Sequence, residues 1–270
     1  MNDDLLTRIA DALERLAPTP PALVAPDAPA YQWDGQALNA VDHFAPLPLG
    51  LLTGIDAQRD TLLSNTERFA SRAAAHDALL WGARGSGKSV LVKSCVSAVQ
   101  AAGHPLALIE VGSDQLETLP ALFAVLRGWT RPAILFLDDL AFDEGLAPAR
   151  VLRSLLEGGV AARPDHVRIY ATANRRHIVA RDFAPPEAIN PRDASDDQLA
   201  LADRFGLSLG FHACDQAQYL AMVAAYAAHL GLAADPEDAL LWARQRGSRS
   251  GRVAWHYAVE LAGRAGRTMA

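Results

Sequence analysis

The chain has 270 residues, 50% of them hydrophobic and 21% charged, an ordinary globular composition with room for one sizeable domain and a small satellite. Its net charge of −6 gives no support to a generic electrostatic grip on nucleic acid. Cys95 and Cys214 lack paired metal-ligand spacing and suit a reducing compartment. With no apolar run of about 18 residues and no basic-then-apolar leader, neither a membrane span nor secretion is expected, and the location expected is cytoplasmic.

Residues 1–17 read as a short amphipathic helix, with Leu6, Ile9, Leu13 and Leu16 in 3-4-3 spacing. That stripe is either a self-association seam or a helix folded back onto its own domain. Residues 18–30, with Pro18, Pro20, Pro21, Pro26 and Pro29 among alanines, read as an extended linker. The main domain is expected over 31–212.

Leu51 to Asp56 form an apolar turn before a long helical pattern holding Leu62, Leu63, Thr66 and Phe69. Ile55 in this turn is a candidate wall of a ligand site, with plain core as the alternative.

The stretch Gly82-Ala83-Arg84-Gly85-Ser86-Gly87-Lys88-Ser89 follows the apolar run Leu79-Leu80-Trp81 and precedes a helical pattern. This is G-x-x-x-x-G-K-[ST] between a strand and a helix, the setting that a phosphate-binding loop requires. Its backbone N–H groups would turn around phosphate oxygens, and the helix would add the positive end of its dipole. Lys88 would reach the β- and γ-phosphates of ATP, and the Ser89 hydroxyl would sit on Mg²⁺. Cys95 falls on the apolar face of that helix with Leu91, Ala98 and Val99, and is read as a buried thiol.

Further on, 105–111 reads as a buried strand, 114–126 as a helix, and 132–137 as a second apolar strand ending in Asp138-Asp139. Residues 147–158 are expected to be helical, stopped by Gly158-Gly159. Residues 166–173 form another strand, delivering Asn174 at its end. Residues 181–200 read as a loop, and Leu207, Leu209 and Phe211 alternate as a last strand. Near-continuous apolar strands alternating with helices define an α/β fold, a P-loop NTPase sheet of parallel strands sandwiched by helices. Sites in such sheets lie at the carboxyl ends of the strands, where Gly82, Asp138, Asp139 and Asn174 all fall.

Residues 213–270 read as a C-terminal helical lid. Asp215-x-x-Gln218 opens one helix, Asp235-Pro236 the next, and a third runs from Gly251. Tyr219, Tyr226, Trp242 and Trp255 are expected in the lid core rather than in a cofactor box.

Asp138 is placed as the Walker B aspartate that holds Mg²⁺. Asp139 is the candidate base for the attacking water, or else a helix N-cap; the commoner glutamate would be one methylene longer. Asn174 would orient the same water. Arg204, in Asp203-Arg204-Phe205, stands where oligomeric ATPases carry an arginine finger acting in trans, the alternative being a surface pair with Asp203. Arg252 is favoured over Arg249 as the lid arginine on the phosphates. Arg175-Arg176-His177 is read as a solvated loop or subunit contact.

These motifs resemble the AAA+-type ATPase group called the domain of unknown function 815 family. The likeness rests on 80–89, Asp138-Asp139-Leu140, Leu156-Glu157-Gly158-Gly159, the run from Tyr170 to His177, Asp203-Arg204-Phe205-Gly206-Leu207 and Arg249-Ser250-Gly251-Arg252. It covers roughly Tyr31 to Arg264. The resemblance implies an AAA+ core with a helical lid, ATP and Mg²⁺ binding, and ring or filament assembly, but no substrate; the partners expected are further copies of the chain and an unidentified protein client. Val111-Gly112-Ser113-Asp114 lacks the aromatic-apolar-glycine tip of threading ATPases, which argues against an unfoldase. The segment between His177 and Asp203 is shorter and richer in proline than the resemblance leads one to expect. An ATP-gated switch with little turnover is the competing expectation.

Overall fold

The computed structural model describes residues 27–140, 156, 163–174 and 204–267. The expected N-terminal helix, most of the linker, the 147–158 helix apart from Leu156, the Arg175-Arg176-His177 cluster, the 181–200 loop and Asp203 lie outside the described residues. Seven strands form one sheet: β1 (Ala30–Trp33), β2 (Leu38–Ala40), β3 (Ala78–Gly82), β4 (Ala107–Val111), β5 (Ala133–Leu140), β6 (Val167–Asn174) and β7 (Leu207–Phe211). Their order is β2-β1-β4-β5-β6-β3-β7, and every pairing is parallel except β1 with β2.

Neighbouring residues on the central strands face opposite ways, as a period of two demands. Leu79, Ile109, Leu135 and Ile169 turn to one face and pack on α3 (Leu119–Leu126) through Leu122, Phe123 and Leu126. Leu80, Leu108, Ile134 and Tyr170 turn to the other, against Leu62 and Phe69 of α1 (Asp56–Ala70) and Leu91, Cys95 and Val99 of α2 (Lys88–Ala101). A strand buried on both faces has no polar side to alternate with, which is why these segments read as unbroken apolar runs.

Three features differ from the sequence reading. The 114–126 segment is a 3₁₀ stretch, Ser113–Thr118, followed by α3. Pro120 lacks an N–H and is tolerated only in a first helical turn, so a single helix through it is disfavoured. Strands β1 and β2, at 4 and 3 residues, carry too little periodicity to be legible. Finally, β5 continues past Leu137 through a bulge. Leu137 pairs with Ala171 but Leu140 pairs with Ala173, so β5 holds one residue more than β6 between these two pairings.

The lid comprises α4 (Gln216–His229), α5 (Pro236–Gln245) and α6 (Gly251–Arg264). Asp215 and Gln218 complete a capping box on α4, Asp235 caps α5 with a proline in its first turn, and the Ser250 hydroxyl accepts from Val253 N–H on α6. Tyr219, Tyr226 and Tyr257 are buried in its core, with Trp242 and Trp255 packed against them.

Candidate functional site

The carboxyl ends of β3, β5 and β6 bring the sequence-assigned groups together. Gly82 closes β3 with φ 136°, and a Cβ placed there would lie 2.0 Å from the Phe211 carbonyl oxygen. Only glycine allows β7 to approach the start of the phosphate loop so closely. At the other end of the loop Gly87 takes φ 95° and serves as the N-cap of α2, so its carbonyl begins the helix while the N–H groups of the first turn stay open to an anion.

Lys88 is buried, and its ammonium donates to the carbonyls of Gly82 (3.0 Å) and Ala83 (2.8 Å). An ammonium has three donors, so one remains for an anion among the described contacts. Burial holds the Lys88 pKa below the usual lysine value, against the attraction of Asp139 and Asp138; Arg84 and Arg252 push the same way as burial. Three cations thus stand with two carboxylates, and a bound polyphosphate would balance the remaining positive charge.

Ser89 and Asp138 are joined directly, the hydroxyl donating to Asp138 Oδ1 at 2.6 Å. The Thr172 hydroxyl donates to the same oxygen at 2.6 Å and accepts the Asp139 N–H at 2.8 Å. Asp139, the extra residue of the β5 bulge, has φ 53°, and the Asn174 amide donates to its Oδ1. Its other carboxylate oxygen lies 3.9 Å from an Arg84 guanidinium nitrogen in an exposed pair. The alternative reading of Asp139 as a helix N-cap does not describe this position, since the residue lies within a strand.

Ser89 and Asp138 fit a magnesium ion by the chemistry of their donors. Both are hard oxygen ligands on adjacent elements, and Mg²⁺ is ordinarily held by one or two such groups together with phosphate oxygens and water. The Ser89 hydroxyl can give its proton to Asp138 and keep its lone pairs for the cation.

A cavity of about 510 Å³ opens between the loop and the lid, lined by Gly85, Lys88 and Ser89 on one side and by Tyr226, Arg252, Trp255 and His256 on the other. Its third wall is Leu47 and Leu52, and the strap carrying them is fastened by the Ser94 hydroxyl, which donates to the Leu47 carbonyl at 2.6 Å. Tyr226 and Trp255 therefore serve two surfaces: they meet edge to face, ring centroids 5.3 Å apart, in the lid core, and also face the cavity. Arg252 lies in this cavity, whereas Arg249 lines a second one across the loop. Ile55 belongs to the second cavity, with Gly54, Ala83 and Met222. The loop touches the lid between the two cavities, where a Cβ on Gly85 would come 2.9 Å from the Ser250 hydroxyl oxygen.

Arg204 is not brought to this site. It precedes β7, whose first residue pairs with Ala78 and whose last pairs with Gly82, so it sits at the amino end of the sheet. The length of β7 alone separates it from the phosphate loop by about 13 Å. Thr172 stood in the sequence reading only as part of the strand and of the run from Tyr170 to His177, because a threonine inside a strand has no chemical signature of its own. Leu47, Trp255 and His256 escaped it as cavity walls because only tertiary packing gathers them.

A phosphate loop on β3, paired acids on β5 and an asparagine closing β6, under a three-helix lid, define a P-loop NTPase fold of the AAA+ type. Over residues 26–265 the sequence matches the family described as "Protein of unknown function (DUF815)", and the chain belongs to that family. No curated protein matches it in sequence. Among solved structures it is similar to a variant of RuvB from Thermotoga maritima, with TM-score 0.56 and 16% identity over 82% of this chain and 68% of that one. It is also similar to the ORC1 protein of Aeropyrum pernix in complex with DNA, with TM-score 0.55 and 16% identity over 85% of this chain and 68% of that one. Among the described residues no helix is long and apolar enough to cross a membrane.

Proposed function

We propose that the protein is a Mg²⁺-dependent ATPase whose site is completed by a second copy of the chain and whose lid moves with the nucleotide. The observation that carries this reading is the cluster itself: Ser89 bonded to Asp138, and Asp139 bonded to Asn174, beside the Lys88 ammonium. The loop N–H groups and Lys88 would hold the β- and γ-phosphates. Ser89 and Asp138 would hold Mg²⁺, which when bound neutralises charge developing on the phosphates. Asp139 would accept a proton from the attacking water while Asn174 fixes the direction of that carboxylate. Arg252, in the cavity with Lys88, would meet the phosphates from the lid, and Arg204 would act on a neighbouring subunit's site from the far end of the sheet. The purine would find apolar walls at Leu47, Leu52, Tyr226 and Trp255 in one cavity or at Ile55 in the other.

A second reading is favoured by one specific contact. Asp139 is shorter than glutamate, and its carboxylate is already engaged by Asn174 and approached by Arg84. A base so restrained suits an ATP-gated switch with slow turnover. The client is a protein in the first reading, yet the DNA complex of the Aeropyrum relative means that net charge alone does not decide against nucleic acid. Two free cysteines suit a reducing compartment such as the cytoplasm.

The test is ATP turnover per subunit over a wide range of protein concentration, with Mg²⁺ present. Turnover per subunit rising steeply with concentration is expected of sites completed in trans. Tight ATP binding with negligible turnover at every concentration would move the conclusion to the switch.

A further inference from the structure

We propose that Thr172 is a positioning residue for both acids of the site, a role that rests on the ATPase reading above. Thr172 is 1% exposed and lies opposite the β5 bulge, where Asp138 and Asp139 together face one residue of β6. A bulge leaves a backbone N–H without its ladder partner. Here the Asp139 N–H finds the Thr172 hydroxyl oxygen at 2.8 Å, and the proton of that hydroxyl goes to Asp138 Oδ1 at 2.6 Å. A hydroxyl has one proton to give and two lone pairs to receive, so a single oxygen satisfies both aspartates at once.

The consequence differs for the two. For Asp138, two hydroxyls, those of Ser89 and Thr172, are anchored on Oδ1, which fixes the plane of the carboxylate and directs Oδ2 elsewhere. For Asp139, the anchored N–H holds the residue at φ 53°, a left-handed conformation that residues other than glycine seldom adopt, though aspartate does so more readily than most. That conformation sets the direction from which the Asp139 side chain meets Asn174. Valine has nearly the shape of threonine but lacks both the donor and the acceptor, so it separates the hydroxyl from the volume.

The experiment compares wild type, Thr172→Val and Thr172→Ser for ATP affinity in EDTA, for the Mg²⁺ concentration that half-saturates ATP binding and turnover, and for kcat and KM. Groups that orient metal ligands are worth about 10- to 100-fold when removed. Thr172→Val is expected to bind Mg²⁺-free ATP within about twofold of wild type. Its half-saturating Mg²⁺ concentration should rise, and its kcat fall, by about tenfold or more with KM little changed, and Thr172→Ser should recover most of both. If the valine variant fails to fold, Thr172→Ser against Thr172→Ala makes the same comparison with one oxygen between them. Wild-type Mg²⁺ dependence and kcat in folded Thr172→Val, or equal defects in Ser and Ala, would overturn the proposal. Wild-type protein that binds no nucleotide would instead overturn the ATPase reading and this proposal with it. Wild-type protein that binds without turnover leaves the Mg²⁺ dependence of binding to decide.

Discussion

Asn174, the last residue of β6, donates its side-chain amide to a carboxylate oxygen of Asp139 across the β5 bulge. The bond ties the residue expected to take a proton to the one expected to align the water. Asp139→Asn should leave ATP bound, since Lys88 and the loop are untouched, and should lower turnover by roughly 10²- to 10⁴-fold, the usual worth of a general base. Equilibrium ATP binding and phosphate release on the same preparation check it; unchanged release would move the base elsewhere.

Lys88 gives a signed pH dependence. Burial depresses its pKa, so between that lowered value and the ordinary 10.5 the unfolded chain carries more protons than the folded one, and folding stability rises with pH across this window. Nucleotide affinity runs the other way. Phosphate needs the ammonium, so affinity should fall as pH climbs through the lowered value, and binding there should draw a proton from the buffer. Calorimetry in two buffers of different ionisation enthalpy reads that uptake directly. Lys88→Ala should abolish the uptake and weaken ATP binding by about 10- to 100-fold, the worth of a strong charge-assisted hydrogen bond.

Arg204 stands at the amino end of β7, remote from its own phosphate loop. With Arg204 acting on a neighbouring subunit's site as proposed, Arg204→Ala should lose about 10³-fold or more in turnover while binding ATP normally. Mixed with Asp139→Asn, whose arginine is intact but whose base is gone, it should regain activity, because the Asp139→Asn arginine can enter an Arg204→Ala site. A titration of one variant into the other follows this, and a flat line would assign Arg204 a purely structural part.

Gly82→Ala tests the junction of β3 and β7. The added Cβ would strike the Phe211 carbonyl oxygen, and alanine would be held at a φ that L-residues resist. Strain of about 3 kcal/mol is expected, which in a chain of this size lowers Tm by roughly 6–12 °C. Thermal unfolding followed by circular dichroism measures it; an unchanged Tm would mean that β7 gives way at little cost.

What the sequence disclosed divides along physical lines. The loop from Gly82 to Ser89, the paired acids and Asn174 were legible because backbone geometry and ligand chemistry restrict those positions to few residue types. The first two lid helices were legible because Asp215 and Asp235 cap them by local hydrogen bonds, whereas the Ser250 cap of the third came to light only in the structure. Thr172 was not, since its role exists only once the bulge has placed two residues of β5 against one of β6. The cavity walls were not, since Leu47 and Trp255 are distant in the chain and meet only through the packing of strap and lid. Pro120 was a signal within the sequence that the 114–126 pattern did not weigh.

The close approach of Gly85 to Ser250 leaves no room for a side chain between the phosphate loop and the root of α6. Ser250 caps α6, and Gly85 lies in the middle of the loop between Gly82 and Ser89. Any widening or tightening of the curl presses on, or withdraws from, the root of a helix that carries Arg252 and Trp255. A change in the curl of the loop would therefore reach the lid directly, at Ser250, Gly251 and Arg252 where α6 begins.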